Sequence, residues 1–70
     1  MNSHGIGTAI RNRRRLLKVT QEDLAEIAGV SVRTIKAIEK GDANPTAGLL
    51  RQVLEPLGLS LTTTERIRHE

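Results

Sequence analysis

The sequence predicts an all-α fold: four to five short helices packed as one small domain over residues 1–70, with one short C-terminal β-strand pairing across a dimer. Three observations predict it. Apolar residues recur at three- and four-residue spacing in separate stretches along the chain. Thr20, Ser31 and Thr46 stand at the heads of the later stretches and Gly29, Gly41 and Gly58 at their tails, where helix caps are expected. After Gly58 the helical period gives way to a single alternating run.

Composition narrows the architecture further. Of 70 residues 37% are apolar, with no Phe, Tyr or Trp and no cysteine. The core must therefore be Leu, Ile, Val and Ala, and there is no aromatic platform on which single strands or RNA could stack. Neither a disulfide nor a thiolate metal site can support it. Below about 80 residues a single core rarely supplies more than ~3–5 kcal/mol, and oligomerisation is the common remedy.

The first helix carries Ile6, Ile10 and Leu17, with Ala9 beside them, and ends near Lys18. Gly5-x-Gly7 lacks a preceding strand and reads as a flexible lead-in rather than a phosphate loop. Thr20-x-x-Asp23 resembles a capping box, so a second helix starts there, burying Leu24, Ile27 and Ala28 and stopping at Gly29. Ser31 caps a third helix with Ile35 and Ile38 one turn apart, and Gly41 ends it. Asp42-Ala43-Asn44-Pro45 is a turn by composition. Thr46 caps a fourth helix carrying Leu49, Leu50, Val53, Leu54 and Leu57, with Pro56 confined to its last turn. Residues 59–64 then alternate, with Leu59, Leu61 and Thr63 on one side. A lone strand leaves its backbone groups unpaired. Either this run is a frayed tail or it pairs with the same strand of a second subunit. The second is favoured, because Leu59 and Leu61 would otherwise be wasted in solvent.

The formal net charge of +3 is unevenly spread. Arg11, Arg13, Arg14, Arg15 and Lys18 precede any acid, whereas Glu22, Asp23 and Glu26 cluster in the second helix. Segregation of this kind suits a polyanion on one side. Catalysis is poorly supplied: His4 and His69 lie near opposite ends, and no carboxylate pair appears. No apolar run approaches the ~18 residues of a membrane span, and the start does not read as a signal peptide. The expectation is a non-enzymatic, cytoplasmic protein of a prokaryotic nucleoid, with no cofactor, no metal and no membrane.

Residues 21–40, QEDLAEIAGVSVRTIKAIEK, read as two helices joined by a tight glycine turn. Ala25 is small where the helices cross, Gly29 makes the turn, Val30 plugs it, and Ile35 and Ile38 return the second helix to the core. That is the helix-turn-helix pattern. From about Ile10 to Leu57 the sequence resembles the Cro/lambda-repressor family, also called the XRE family. The resemblance implies a lambda-repressor-like domain whose third helix lies in the major groove of double-stranded DNA. Carried over position by position, Val32, Arg33, Lys36 and Ala37 are the base-contacting residues. Arg33 can fork onto guanine O6 and N7, and Val32 or Ala37 can touch a thymine methyl. Gln21, Ser31, Thr34, Lys40 and Asn44 are the phosphate-contacting set, although Asp42 stands where relatives more usually hold a basic residue.

Arg14 lies four residues after Ile10, on the apolar side of the first helix, and a guanidinium there needs a partner. Glu39, four residues after Ile35, is the obvious one, and the family pairs an arginine and a glutamate at matching positions. Arg14 and Glu39 are therefore expected to form a structural salt bridge. Arg11, Arg13 and Arg15 are left as a solvated face, with a phosphate contact from each as the lesser alternative. The stretch LLRQVLEPLGLSLTTT is similar to HipB-type antitoxins. That similarity implies a homodimer closed through Leu59, Leu61 and Thr63, a HipA-like kinase toxin as partner, and repression by occluding its own promoter. A stand-alone repressor, or an interaction module that has lost DNA binding, are the alternatives.

Overall fold

The computed structural model describes residues 3–60. Four α-helices form there: α1 (Ser3–Leu16), α2 (Gln21–Ala28), α3 (Val32–Lys40) and α4 (Ala47–Leu54), with a 3₁₀ turn (Glu55–Leu57) after α4. Three of the helices begin on a hydroxyl cap. The Thr20 side chain accepts from the Asp23 amide at 2.9 Å while the Asp23 carboxylate accepts from the Thr20 amide at 3.3 Å, completing a capping box. Ser31 and Thr46 accept from the Thr34 and Leu49 amides, each at 3.1 Å. Each cap stabilises its helix by about 1 kcal/mol.

The helices also stop alike. The Val19, Val30, Asp42 and Leu59 amides each reach back five residues, to the carbonyls of Arg14, Ala25, Ala37 and Leu54, at 3.0 Å. This closure needs one residue in the left-handed region. Glycine takes that place after α2, α3 and the 3₁₀ turn, as Gly29 with φ 76° illustrates. After α1 it is Lys18, φ 60°, the only non-glycine at positive φ among the described residues.

The core is formed by Ile10, Leu24, Ile35, Val53 and Leu57, all essentially inaccessible, with Ala25, Ala28, Ile38, Leu50 and Leu54 around them. Helix α3 is the central element, packed on α1 on one side and α2 on the other, while α4 and the 3₁₀ turn close the base. Among the described residues no helix is long and apolar enough to cross a membrane.

Several sequence expectations need correction. Gly5 and Gly7 are not a flexible lead-in but lie within α1. A Cβ on Gly7 would overlap the Ile38 carbonyl oxygen and come within 2.7 Å of that of Glu39, so α1 rests directly on the α3 backbone. Leu17 is 43% exposed, because α1 ends at Leu16 and the Lys18 reversal carries Leu17 off the inward face. Ile27 is 63% exposed: the buried face of α2 runs through Leu24, Ala25 and Ala28, and Ile27 falls past its edge. The fourth helix does not run on as α to Leu57. Pro56 cannot donate to the Gln52 carbonyl, and the chain tightens into the 3₁₀ turn from Glu55.

Of the expected strand at 59–64, Leu59 and Ser60 form neither helix nor strand, and Leu61 and Thr63 lie outside the described residues. Leu59 is half-buried against the core of its own chain.

Candidate nucleic-acid interface

The outer side of α3 follows from its inner one. With Ile35, Ile38 and Glu39 buried, helical geometry turns Arg33, Lys36 and Lys40 outward, and all three are exposed. Ala37 lies half-buried between them. Val32, at the head of the helix, is half-buried, packed in part against the core. Beside it the Ser31 and Thr34 hydroxyls share a hydrogen bond of 2.9 Å, which fixes both at the positive end of α3. Asn44 is exposed on the loop between α3 and α4. The Lys40 ammonium lies 3.5 Å from the Asp42 carboxylate in an exposed pair.

Behind this face lies a polar seam between α1 and α3. The Arg14 guanidinium donates from Nε to Glu39 Oε2 at 2.7 Å and from Nη2 to Oε1 at 3.0 Å. Its Nη1 donates to the Val19 carbonyl at 3.0 Å, tying the α1–α2 turn to the same group. Arg14 is 8% exposed and Glu39 4%, so the fork is shielded from water. Gln21, first residue of α2, donates from Nε2 to Glu39 Oε1 at 3.1 Å. The hydrogen bonds that Arg14 donates to Glu39, and the charge of Glu39, raise the Arg14 pKa despite burial. Burial pushes Glu39 up, but the hydrogen bonds from Arg14 and Gln21, with the charges of Arg14 and Arg11, together hold it below the usual carboxylate range.

The seam forms the floor of a surface hollow of about 470 Å³. Arg11 and Arg15 line it from α1, Lys36 and Lys40 from α3, and Thr20 and Gln21 from the head of α2. The structure thus brings Gln21, Lys36 and Lys40 together with Arg14 and Glu39, and leaves Ser31, Thr34 and Asn44 outside the hollow.

Sequence reasoning missed two tethers and grouped the basic run wrongly. Arg13 is not part of a solvated face: its Nε donates to the Leu57 carbonyl at 2.8 Å, strapping α1 to the 3₁₀ turn. Gln52 donates to the Ala28 carbonyl at 3.1 Å and so holds the end of α2 from α4. Both span more than twenty residues of chain, and no local spacing announces them.

The profile of a helix-turn-helix family matches residues 10–63. The chain belongs to the XRE-type helix-turn-helix family. Helix-turn-helix regulators similar to it come from distant sources. One, an uncharacterized HTH-type transcriptional regulator of Methanothermobacter thermautotrophicus, is 45% identical over 51 residues, covering 73% of this chain and 74% of the relative. Another, from Sinorhizobium fredii, is 38% identical over 56 residues, 80% of this chain and 74% of its own. A third, from Methanocaldococcus jannaschii, is 44% identical over 48 residues, 69% of this chain and 73% of its own. The helix-turn-helix family places this chain among DNA-binding transcriptional regulators, not enzymes. In the structure its defining unit is α2, the Gly29 turn and α3.

Proposed function

We propose that the chain is a sequence-specific, dimeric transcriptional repressor, with α3 in the major groove of an inverted-repeat operator. The observation that carries this reading is the outward face of α3, where Arg33, Lys36 and Lys40 are exposed along one side of a helix whose other side is buried. Arg33 would fork onto guanine, Lys36 reach a base-edge acceptor, and Val32 and Ala37 meet thymine methyls. Gln21, Ser31, Thr34, Lys40 and Asn44 would hold the phosphates and fix the register. Two such units related by a two-fold axis read half-sites about 34–36 Å apart. The dimer is assigned to the run from Leu59 through Leu61 to Thr63. Repression then follows from occupancy alone, with polymerase excluded from the promoter.

In its narrower form the proposal makes this chain the antitoxin and autorepressor of a HipBA-like module, partnered by a HipA-like kinase. It rests on the similarity of residues 49–64 to HipB-type antitoxins. Selection of duplexes from a random pool tests the first claim: a recovered inverted repeat is expected, and an unstructured pool would sink it. Sedimentation should give a dimer that Leu61→Asp converts to monomer. Capture of the tagged chain from its native host tests the antitoxin role. A stoichiometric kinase-like protein with the chain's own promoter supports it, and promoter DNA alone leaves a stand-alone repressor.

A further inference from the structure

The hollow between α1 and α3 concentrates more positive charge than the fold needs. Arg11 and Arg15 stand four residues apart on α1, Lys36 and Lys40 four apart on α3, and both pairs line the same space. The acid in its wall is Glu39, whose carboxylate is already forked by Arg14. Among the described residues Arg11, Arg15 and Lys36 make no ion pair, and Lys40 pairs with the exposed Asp42 carboxylate. Four cations gathered around one hollow repel one another, and a polyanion relieves that repulsion. The run Arg11 to Arg15 is also divided by its contacts. Arg14 is spent on Glu39 and Arg13 on the Leu57 carbonyl, whereas Arg11 and Arg15 are exposed at the rim.

We infer that this hollow is a seat for the DNA phosphate backbone, and that Arg11 and Arg15 of α1 are phosphate contacts while Arg13 is not. The inference rests on the DNA-binding reading above and extends its contact set from the helix-turn-helix unit to α1. The chemistry suits it. A guanidinium presents a planar fork of donors that matches two phosphate oxygens, and Lys40 supplies a point charge from the opposite wall. The Gln21 amide group, held by Glu39, sits at the edge of the same space beside the free amides at the head of α2. Such contacts carry no base preference. They act on every sequence equally and are paid for in released counterions.

The test is the salt dependence of binding, measured by fluorescence anisotropy with a random-sequence duplex and with a duplex recovered by selection. Arg11→Gln and Arg15→Gln should each weaken both duplexes by the same factor and flatten the slope of log K against log salt by about 0.9. The double variant should flatten it by about twice that, and Arg15→Lys, which keeps the charge, should retain the parental slope. Arg13→Gln should lower the melting temperature and leave the slope alone. Parental slopes in both Arg11→Gln and Arg15→Gln, with the unaltered protein still binding steeply, would overturn the seat and leave DNA binding standing. If the unaltered protein binds neither duplex, the DNA-binding reading itself fails and takes the seat with it. Thermal melts of each variant separate lost contacts from lost folding.

Discussion

Helices α2 and α3 are built alike and differ in what they turn outward. Each starts from a hydroxyl cap, Thr20 or Ser31, and each ends on a left-handed glycine, Gly29 or Gly41. Each buries three side chains. Helix α2 buries Leu24, Ala25 and Ala28 and exposes Glu22, Asp23 and Glu26. Helix α3 buries Ile35, Ile38 and Glu39 and exposes Arg33, Lys36 and Lys40. Backbone geometry would let either lie along a groove. The sign of the outer face decides between them, since a polyanion repels three carboxylates and attracts three cations. The acid that α3 does carry is withdrawn into the seam against Arg14. The two helices thus share their ends and part company on their surfaces.

The largest expected effect comes from undoing that withdrawal. Arg14→Ala or Glu39→Ala leaves one buried charge without its partner and should cost about 3–5 kcal/mol in urea unfolding. An Arg14→Ala protein that unfolds normally yet binds duplexes weakly would move Arg14 from the seam to the DNA. Acid should act on the same pair. The folded pKa of Glu39 lies below its unfolded value of about 4.3, so its stabilisation is complete above that value and is lost as pH falls through the folded pKa. The melting temperature should drop through this window more steeply than that of Glu39→Gln. Parallel curves would show that the depressed carboxylate contributes nothing to acid sensitivity.

A smaller effect tests the outer faces directly. Arg33→Ala should cost about 1–3 kcal/mol on the selected duplex and relax preference at one base pair. Glu26→Lys on α2 should leave base preference unchanged. Equal losses for Arg33→Ala on selected and random duplexes would remove Arg33 from the base-reading set. The shared helix ends come next: Thr20→Ala and Ser31→Ala should each lower stability by about 1 kcal/mol. A cost confined to one of them would break the equivalence of the two caps. Smallest is a gain: Lys18→Gly relieves a left-handed lysine, glycine's greater freedom in the unfolded chain offsets part of that relief, and about 0.5 kcal/mol of added stability should remain by thermal melting.

Features that depend on a few neighbouring residues were legible in the sequence. The caps at Thr20, Ser31 and Thr46, the stop at Gly29 and the buried Ile35 and Ile38 follow from spacing within one helix or turn. So does the exposure of Arg33, Lys36 and Lys40 opposite that buried face, whereas Val32, expected at the base edges, is half-buried against the core. Features that require two distant segments to be laid together were not legible. Whether Arg13 faces water or the Leu57 carbonyl depends on where the 3₁₀ turn returns against α1. Leu17 and Ile27 were misplaced for a smaller reason: periodicity gives a face but not the residue at which a helix stops or the angle at which it lies. The hollow needed both helices in place, and hence the division of the basic run was invisible until α1 rested on α3.

Gly7 gives that resting contact a further meaning. Its missing side chain lets main chain touch main chain, at the carbonyls of Ile38 and Glu39. The spacing between α1 and α3 is therefore gauged by peptide groups, which cannot be shortened, lengthened or rotated as side chains can. Substitutions around the rim can alter how much charge the two walls carry, yet the distance between the walls stays the same. A family member that needed a wider or narrower span would have to change the residue at the crossing, and anything larger than glycine there would open the gap like a shim.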